Sequence, residues 1–184
     1  MVAAPRLAAN KRSGNKWLSL FMRLFLCDME NRHFYFIKDE FYEALSGCNL
    51  LTNKSEDVDN PHGRPCHYCF YCDGYYWMIP ISSQVKKYKS IYDKKMDKWG
   101  NCDTIRFGYV NGEKRAFLIQ NAFPVTEKYI KEEYKVHHNT IPVVANKDLS
   151  NELNSLIKKV IRLYKNGINM PLTKLSNIFD FLDS

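Results

Sequence analysis

The sequence predicts an α+β domain, in which a twisted antiparallel β-sheet curls into a small barrel and helices pack around it. Three observations carry this. Two pairs of β-rich runs are joined by Asp73-Gly74 and Asn111-Gly112, the dipeptides that supply two successive positive φ angles in a hairpin turn. Apolar stripes at helical spacing occur at 84–99, at 147–165 and after Pro171. Hydrophobic residues are 45% of the chain and aromatics 14%, enough for a packed core.

Taken in order, His33 to Ile37 (HFYFI) forms a short aromatic strand. Lys38 to Gly47 forms a helix with Phe41, Tyr42 and Leu45 inward, stopped by Gly47. The polar run 52–64 is a loop. The first hairpin joins PCHYCFYC (65–72) to YYWMIPI (75–81), and the second joins TIRFGYV (104–110) to KRAFLIQNAF (114–123). Between them, 84–99 places Val85, Tyr88, Ile91, Tyr92 and Trp99 inward, with Gly100 as a stop. A short helix around 127–134 and a strand at 141–144 follow. The helix over 147–165 turns Leu149, Leu153, Leu156, Ile157, Val160 and Leu163 inward. The last helix does so with Leu175, Ile178, Phe179 and Leu182.

Residues 1–28 differ in composition from the rest. They carry five basic residues against Asp28, and Arg23 interrupts the apolar run WLSLFMRLFL, which argues against a secretion signal. The stretch reads as an extension outside the domain, with translation beginning at Met29; the alternative is an amphipathic surface helix bearing Leu18, Phe21, Leu24 and Phe25. The domain then covers 29–184. No apolar run reaches the roughly 18 residues of a membrane span, so no membrane partner is expected.

Charge is unevenly spread along the +7 chain. Residues 29–73 carry 4 basic and 8 acidic groups, whereas 74–184 carry 18 and 11. A polyanion-binding face is therefore expected in the second part.

Two constellations compete for chemistry. Cys66, Cys69 and Cys72, with His62 and His67 nearby, have zinc-ligand spacing. On a strand, however, Cys66 and Cys72 face one side and Cys69 the other, so three thiolates do not converge; half-buried strand cysteines are the plainer account. The second constellation is Ser82-Ser83-Gln84-Val85-Lys86, where a hydrophobic strand gives way to a helix. One serine serves as an N-cap. A helix start also offers free N–H groups and partial positive charge, and serine hydroxyls with a first-turn lysine complete a phosphate cradle. Arg64, just before the hairpin strand, is placed to approach it. Lys86, Lys87, Lys89, Lys94, Lys95 and Lys98 line the helix, either as a polyanion-binding face or as an ordinary solvated one. Dinucleotide, Walker, α/β-hydrolase and zincin signatures are all missing.

At these residues the chain resembles the toxins of type III toxin–antitoxin systems, the ToxN/AbiQ superfamily, and is most similar to its CptN branch. The resemblance rests on HFYFI (33–37), NPHGRP (60–65), YWMIPISS (76–83), CDTIRF (102–107) and AFLIQNAFPV (116–125). It implies a MazF/Kid-like fold and a sequence-selective endoribonuclease that uses no metal or other cofactor. In such toxins the RNA's own 2′-OH attacks, leaving a 2′,3′-cyclic phosphate. The implied partners are a repeated structured antitoxin RNA, bound in a closed toxin–RNA hetero-oligomer, and cellular or phage mRNA as substrate, in the bacterial cytoplasm with a role in phage defence.

By position, Ser82 and Ser83 match the superfamily's active-site Thr/Ser-Ser pair, Arg64 a basic position, and Lys86 the catalytic lysine, with Lys87 as the other match. A first-helix tyrosine falls on Phe41, beside Tyr42. Expected RNA contacts are Lys87, Lys89, Lys94 and Lys95, Arg162 with Lys158, Lys159 and Lys165, and a stacking aromatic among Tyr75, Tyr76 and Trp77. His67 and Lys86 are the candidates for general base. Two other readings stay open: a non-catalytic RNA-binding module and a small zinc protein.

Overall fold

Nine strands and four α-helices form over the residues that the computed structural model describes, namely 29–51, 63–137, 139–168 and 172–184. Residues 1–28, residues 52–62 of the loop expected over 52–64, with His62, and Pro171 lie outside the described residues.

Both hairpins form at the expected turns. Strands β2 (Cys66–Cys72) and β3 (Tyr75–Ser82) meet through Asp73 and Gly74 at φ 53° and 91°. Strands β4 (Arg106–Val110) and β5 (Glu113–Phe117) meet through Asn111 and Gly112 at 49° and 76°. Two positive φ angles in succession are what a type I′ turn demands, and Asn/Asp followed by Gly tolerates them at least cost.

Strand β1 (Phe34–Ile37) pairs antiparallel with β2 on one side and with β7 (Ile130–Glu133) on the other. The strand β7 corrects the helix expected over 127–134. Only a single 3-10 turn, Glu127–Tyr129, forms there. The reason is a tertiary override of propensity: Lys38 N–H donates to the Tyr129 carbonyl (2.9 Å) and Tyr134 N–H to that of Phe34 (2.7 Å), so the edge of β1 recruits the segment.

The sheet order is β4-β5-β3-β2-β1-β7, with β6 (Phe123–Val125) also on β3. Thus β3 carries β2 along one edge, and β5 followed by β6 along the other. Ile81 faces Phe117 while Met78 faces Phe123, a slip of three residues taken up by the turn at Ile119–Asn121. Among the described residues no pairing joins β4 to β7, so the sheet is open and the expected barrel does not close. The strand expected at 141–144 is only β9 (Ile141–Pro142), paired with β8 (Lys135–Val136).

Helix α1 (Asp39–Ala44) buries Phe41 and Tyr42 as expected but ends earlier. A 3-10 turn, Ser46–Cys48, follows, and the left-handed residue that turns the chain is Asn49 (φ 57°) rather than Gly47. Asparagine accepts this conformation, and its amide donates to the Leu172 carbonyl (3.0 Å).

Helix α2 (Val85–Trp99) ends at Gly100 (φ 66°) and covers a small cluster of Tyr88, Cys102, Ile105, Ala116 and Leu118. Trp99, expected inward, stands 62% exposed because the helix outruns that cluster by its last turn. Helix α3 (Lys147–Lys165) is capped by Asn146 Oδ1, which accepts from Asp148 N–H (2.9 Å) and Leu149 N–H (3.2 Å). Leu153, Ile157 and Val160 enter the main core beside β2, and α4 (Leu175–Leu182) adds Leu175 and Ile178 near β6. No helix of the described residues is long and apolar enough to cross a membrane.

Candidate functional site

The hydrophobic run of β3 stays buried through Ile81, and the chain then turns sharply into α2. Ser82 is buried, and its Oγ accepts from the Gln84 N–H (3.2 Å). The Ser83 carbonyl accepts from Val85 N–H (2.8 Å). The helix cap is therefore Gln84, which gives no side-chain hydrogen bond to the first turn. The serine expected as N-cap closes the preceding turn instead. Ser83 itself is exposed.

Helix starts usually carry acidic residues, which offset the positive end of the dipole. Here the first turn holds no acid and contains Lys86 and Lys87, both exposed. Positive charge is thus concentrated at a helix end with no side-chain cap. Arg64 reaches the same place from the chain ahead of β2: its Nη1 donates to the Ile81 carbonyl (2.8 Å). Ile81 N–H in turn donates to the Pro65 carbonyl (3.3 Å), so the strand pairing itself carries Arg64 to the junction. The fold brings Ser82, Ser83, Lys86 and Arg64 to one strand-to-helix junction.

Other expected contacts are dispersed. Lys87 and Lys94 are exposed, and Lys89 pairs with Asp93 one turn on. Lys95 departs from the expected outer face: its Nζ donates to Thr104 Oγ1 (2.6 Å) and Gln120 Oε1 (3.1 Å), tethering α2 to the two ends of the second hairpin. On α3, Lys159 pairs with Asp103, and Lys165 with Asp73 at 2.8 Å. Lys158 lies over the Phe70 ring (5.7 Å), while Arg162 is exposed.

The stacking aromatics are corrected. Tyr76 is buried among Tyr68 and Tyr71, and Trp77 is buried against Phe179, so neither ring faces a base. Tyr75 is half-buried, with its hydroxyl on Asp183 and its ring edge-on to Phe179.

His67 is removed from candidacy as a base. It is fully buried, with Nε2 3.0 Å from Ser150 Oγ and its ring edge-on to Phe34 and Phe117. Desolvation pushes its pKa down to about 3, so it is a neutral core residue. Cys69 Sγ lies 3.6 Å from His67 Nδ1, whereas Cys66 Sγ lies 3.8 Å from the Tyr42 hydroxyl. Burial pushes the Cys66 thiol up to about 12 and raises Cys69 as well, which disfavours a thiolate nucleophile at either sulfur, and among the described residues no group of three or more His, Cys, Asp or Glu side chains could hold a metal ion. The Tyr42 phenol is likewise raised by burial, and Phe41 is fully enclosed.

Among solved structures the chain matches AbiQ, a lactococcal anti-phage endoribonuclease belonging to the type III toxin–antitoxin system. The TM-score is 0.60 at 10% identity, over 84% of this chain and 97% of AbiQ. The chain has the AbiQ fold. This agrees with the ToxN/AbiQ resemblance that short motifs suggested, and it extends across most of AbiQ rather than one motif. No protein-family model matches the sequence, and no curated protein matches it. Sequence reading missed that Trp99 is the exposed aromatic of α2. The signal available was its position, the last residue before the Gly100 stop.

Proposed function

We propose that this protein is the toxin of a type III toxin–antitoxin system, an endoribonuclease acting on single-stranded RNA at the β3–α2 junction. One observation carries the reading: in an AbiQ fold, Arg64 donates to the Ile81 carbonyl two residues before Ser83, and Lys86 stands in the first turn of a helix that starts without acid or side-chain cap.

In this mechanism the scissile phosphate sits on the first turn of α2, held by Ser83 Oγ and backbone N–H groups. The substrate's 2′-oxygen attacks the adjacent phosphorus and gives up its proton, the bond from phosphorus to the 5′-oxygen breaks, and that oxygen takes a proton. The products are a 2′,3′-cyclic phosphate and a 5′-OH. The nucleophile is intramolecular, so no covalent serine step is needed. Lys86 and Arg64 neutralise the charge that grows on the phosphoryl oxygens, a preorganised electrostatic contribution. Ser82, buried and bonded to Gln84, positions the turn rather than touching RNA. With His67 enclosed and Lys86 engaged as a cation, the 2′-OH proton passes to water, and the leaving 5′-oxygen takes its proton from water. No metal is required by this set of groups. Inhibition falls to a structured, repeated antitoxin RNA that assembles with the toxin into a closed hetero-oligomer in the bacterial cytoplasm, and the substrate is cellular or phage mRNA. The catalytic unit is residues 29–184.

The test incubates purified protein with single-stranded RNA in excess EDTA and maps the product ends. Discrete cuts ending in 2′,3′-cyclic phosphates support the reading. Intact RNA, with Ser83→Ala behaving identically, moves the protein to a non-catalytic RNA-binding module.

A further inference from the structure

We infer that Trp99 and the stripe Lys87–Lys94–Lys98 of α2 form a flanking RNA contact, in which Trp99 stacks on an unpaired base of a strand gripped at its phosphates. The ribonuclease reading supplies the nature of the strand; the surface itself rests on separate observations.

The three lysines are spaced by seven and four residues, which returns them to one side of a helix. All three are exposed, and among the described residues no ion pair reaches them. The acids of α2, Asp93 and Asp97, lie on the neighbouring stripe, where Lys89 already takes up Asp93. The stripe therefore presents three exposed lysines that hold no ion pair among the described residues.

Trp99 ends that helix. Its ring is 62% exposed, whereas Trp77 is 2% exposed, so this indole forgoes burial that the fold gives the other. Lys98 Nζ lies over its ring, 4.8 Å from the centroid, which places a cation on the exposed indole. Single-strand binders combine these two elements: a basic track for phosphates and an aromatic platform for a base. An acidic protein partner would satisfy the lysines but would leave the indole without a stacking role. Thirteen residues separate Lys86 from Trp99, about 20 Å at the helical rise. The stacked base is accordingly several nucleotides from the scissile phosphate, where it adds affinity without taking part in the chemistry.

The probe is a 2′-O-methyl single strand of about 12 nucleotides, within ordinary single-strand site sizes and unable to be cut. Its affinity is measured across a salt series with the full chain. Trp99→Ala should weaken binding roughly tenfold at fixed salt without changing the salt slope, and Trp99→Phe should restore most of it. Replacing Lys87, Lys94 and Lys98 together by Gln should flatten the log–log salt slope by about 2, since each phosphate contact adds about 0.7. Unchanged affinity in Trp99→Ala, an unchanged slope in the triple variant, or a wild-type protein that ignores the strand overturns the inference. The cleavage reading fails separately: if the probe binds through Trp99 while the matching 2′-OH strand is never cut, the surface stands and the nuclease does not.

Discussion

Two regions of this molecule carry side chains capable of chemistry, and they differ in what surrounds them. In the first hairpin, Cys66, Cys69 and His67 are enclosed between the sheet and its helices. Just past the end of β3, whose Pro80 pairs with Cys66, Ser83, Lys86 and Lys87 stand in water at a helix start. Burial silences the first group: it holds the thiols protonated and the imidazole neutral. Exposure leaves the second group accessible, at a helix start without acid or side-chain cap. Residue type nominates a site, and solvent access decides it.

The largest expected effect breaks the comparison at the exposed end. Ser83→Ala and Lys86→Ala should each lower the rate of RNA cleavage by roughly 10²–10³ while the melting temperature stays put. A full loss of folding in either variant would move that residue from the chemistry to the scaffold.

Next in size is the buried end, read through pH. The pKa of His67 is about 3 in the folded state against an ordinary 6.5, so between these values the unfolded chain binds the proton more readily. Its contribution to stability is complete above pH 6.5 and is lost as pH falls towards 3. From pH 6.5 to 5 the loss is on the order of 2 kcal/mol. Urea unfolding at these two pH values should show it, and His67→Gln should flatten the difference. A wild-type midpoint that does not move with pH would place His67 in contact with water.

Cys66 and Cys69 offer a sharper version of the same contrast. In the native protein both should resist a thiol reagent at neutral pH and react only on unfolding, as followed by mass spectrometry. Rapid labelling of either would show that the hairpin opens.

Gly74→Ala should cost about 1 kcal/mol, because φ 91° suits glycine alone in the turn that joins the two regions. Smallest of all, Lys165→Ala removes an ion pair whose partners both lie at the surface, and the urea midpoint should not change measurably.

Much of this was legible along the chain. The type I′ turns at Asp73-Gly74 and Asn111-Gly112, the span of α3 and the stop at Gly100 are local features, written by backbone sterics and apolar period. So was the serine–lysine step at the end of β3, because it lies within five residues. What misled was non-local. Residues 130–133 have helical composition, yet they became a strand because β1 offered an unpaired edge. Lys95 looked like its neighbours until Thr104 and Gln120 arrived beneath it.

The sequence by itself determined the hairpins, the long helices and the step from Ser82 and Ser83 to Lys86 at the β3–α2 junction, since turn chemistry and periodicity act between near neighbours. Only the tertiary structure decided that the sheet stays open, that Arg64 reaches Ile81, that His67 is dry and that Trp99 is wet. Each of these depends on what packs across the gap from a distant part of the chain, and no local pattern specifies which surfaces that packing will cover.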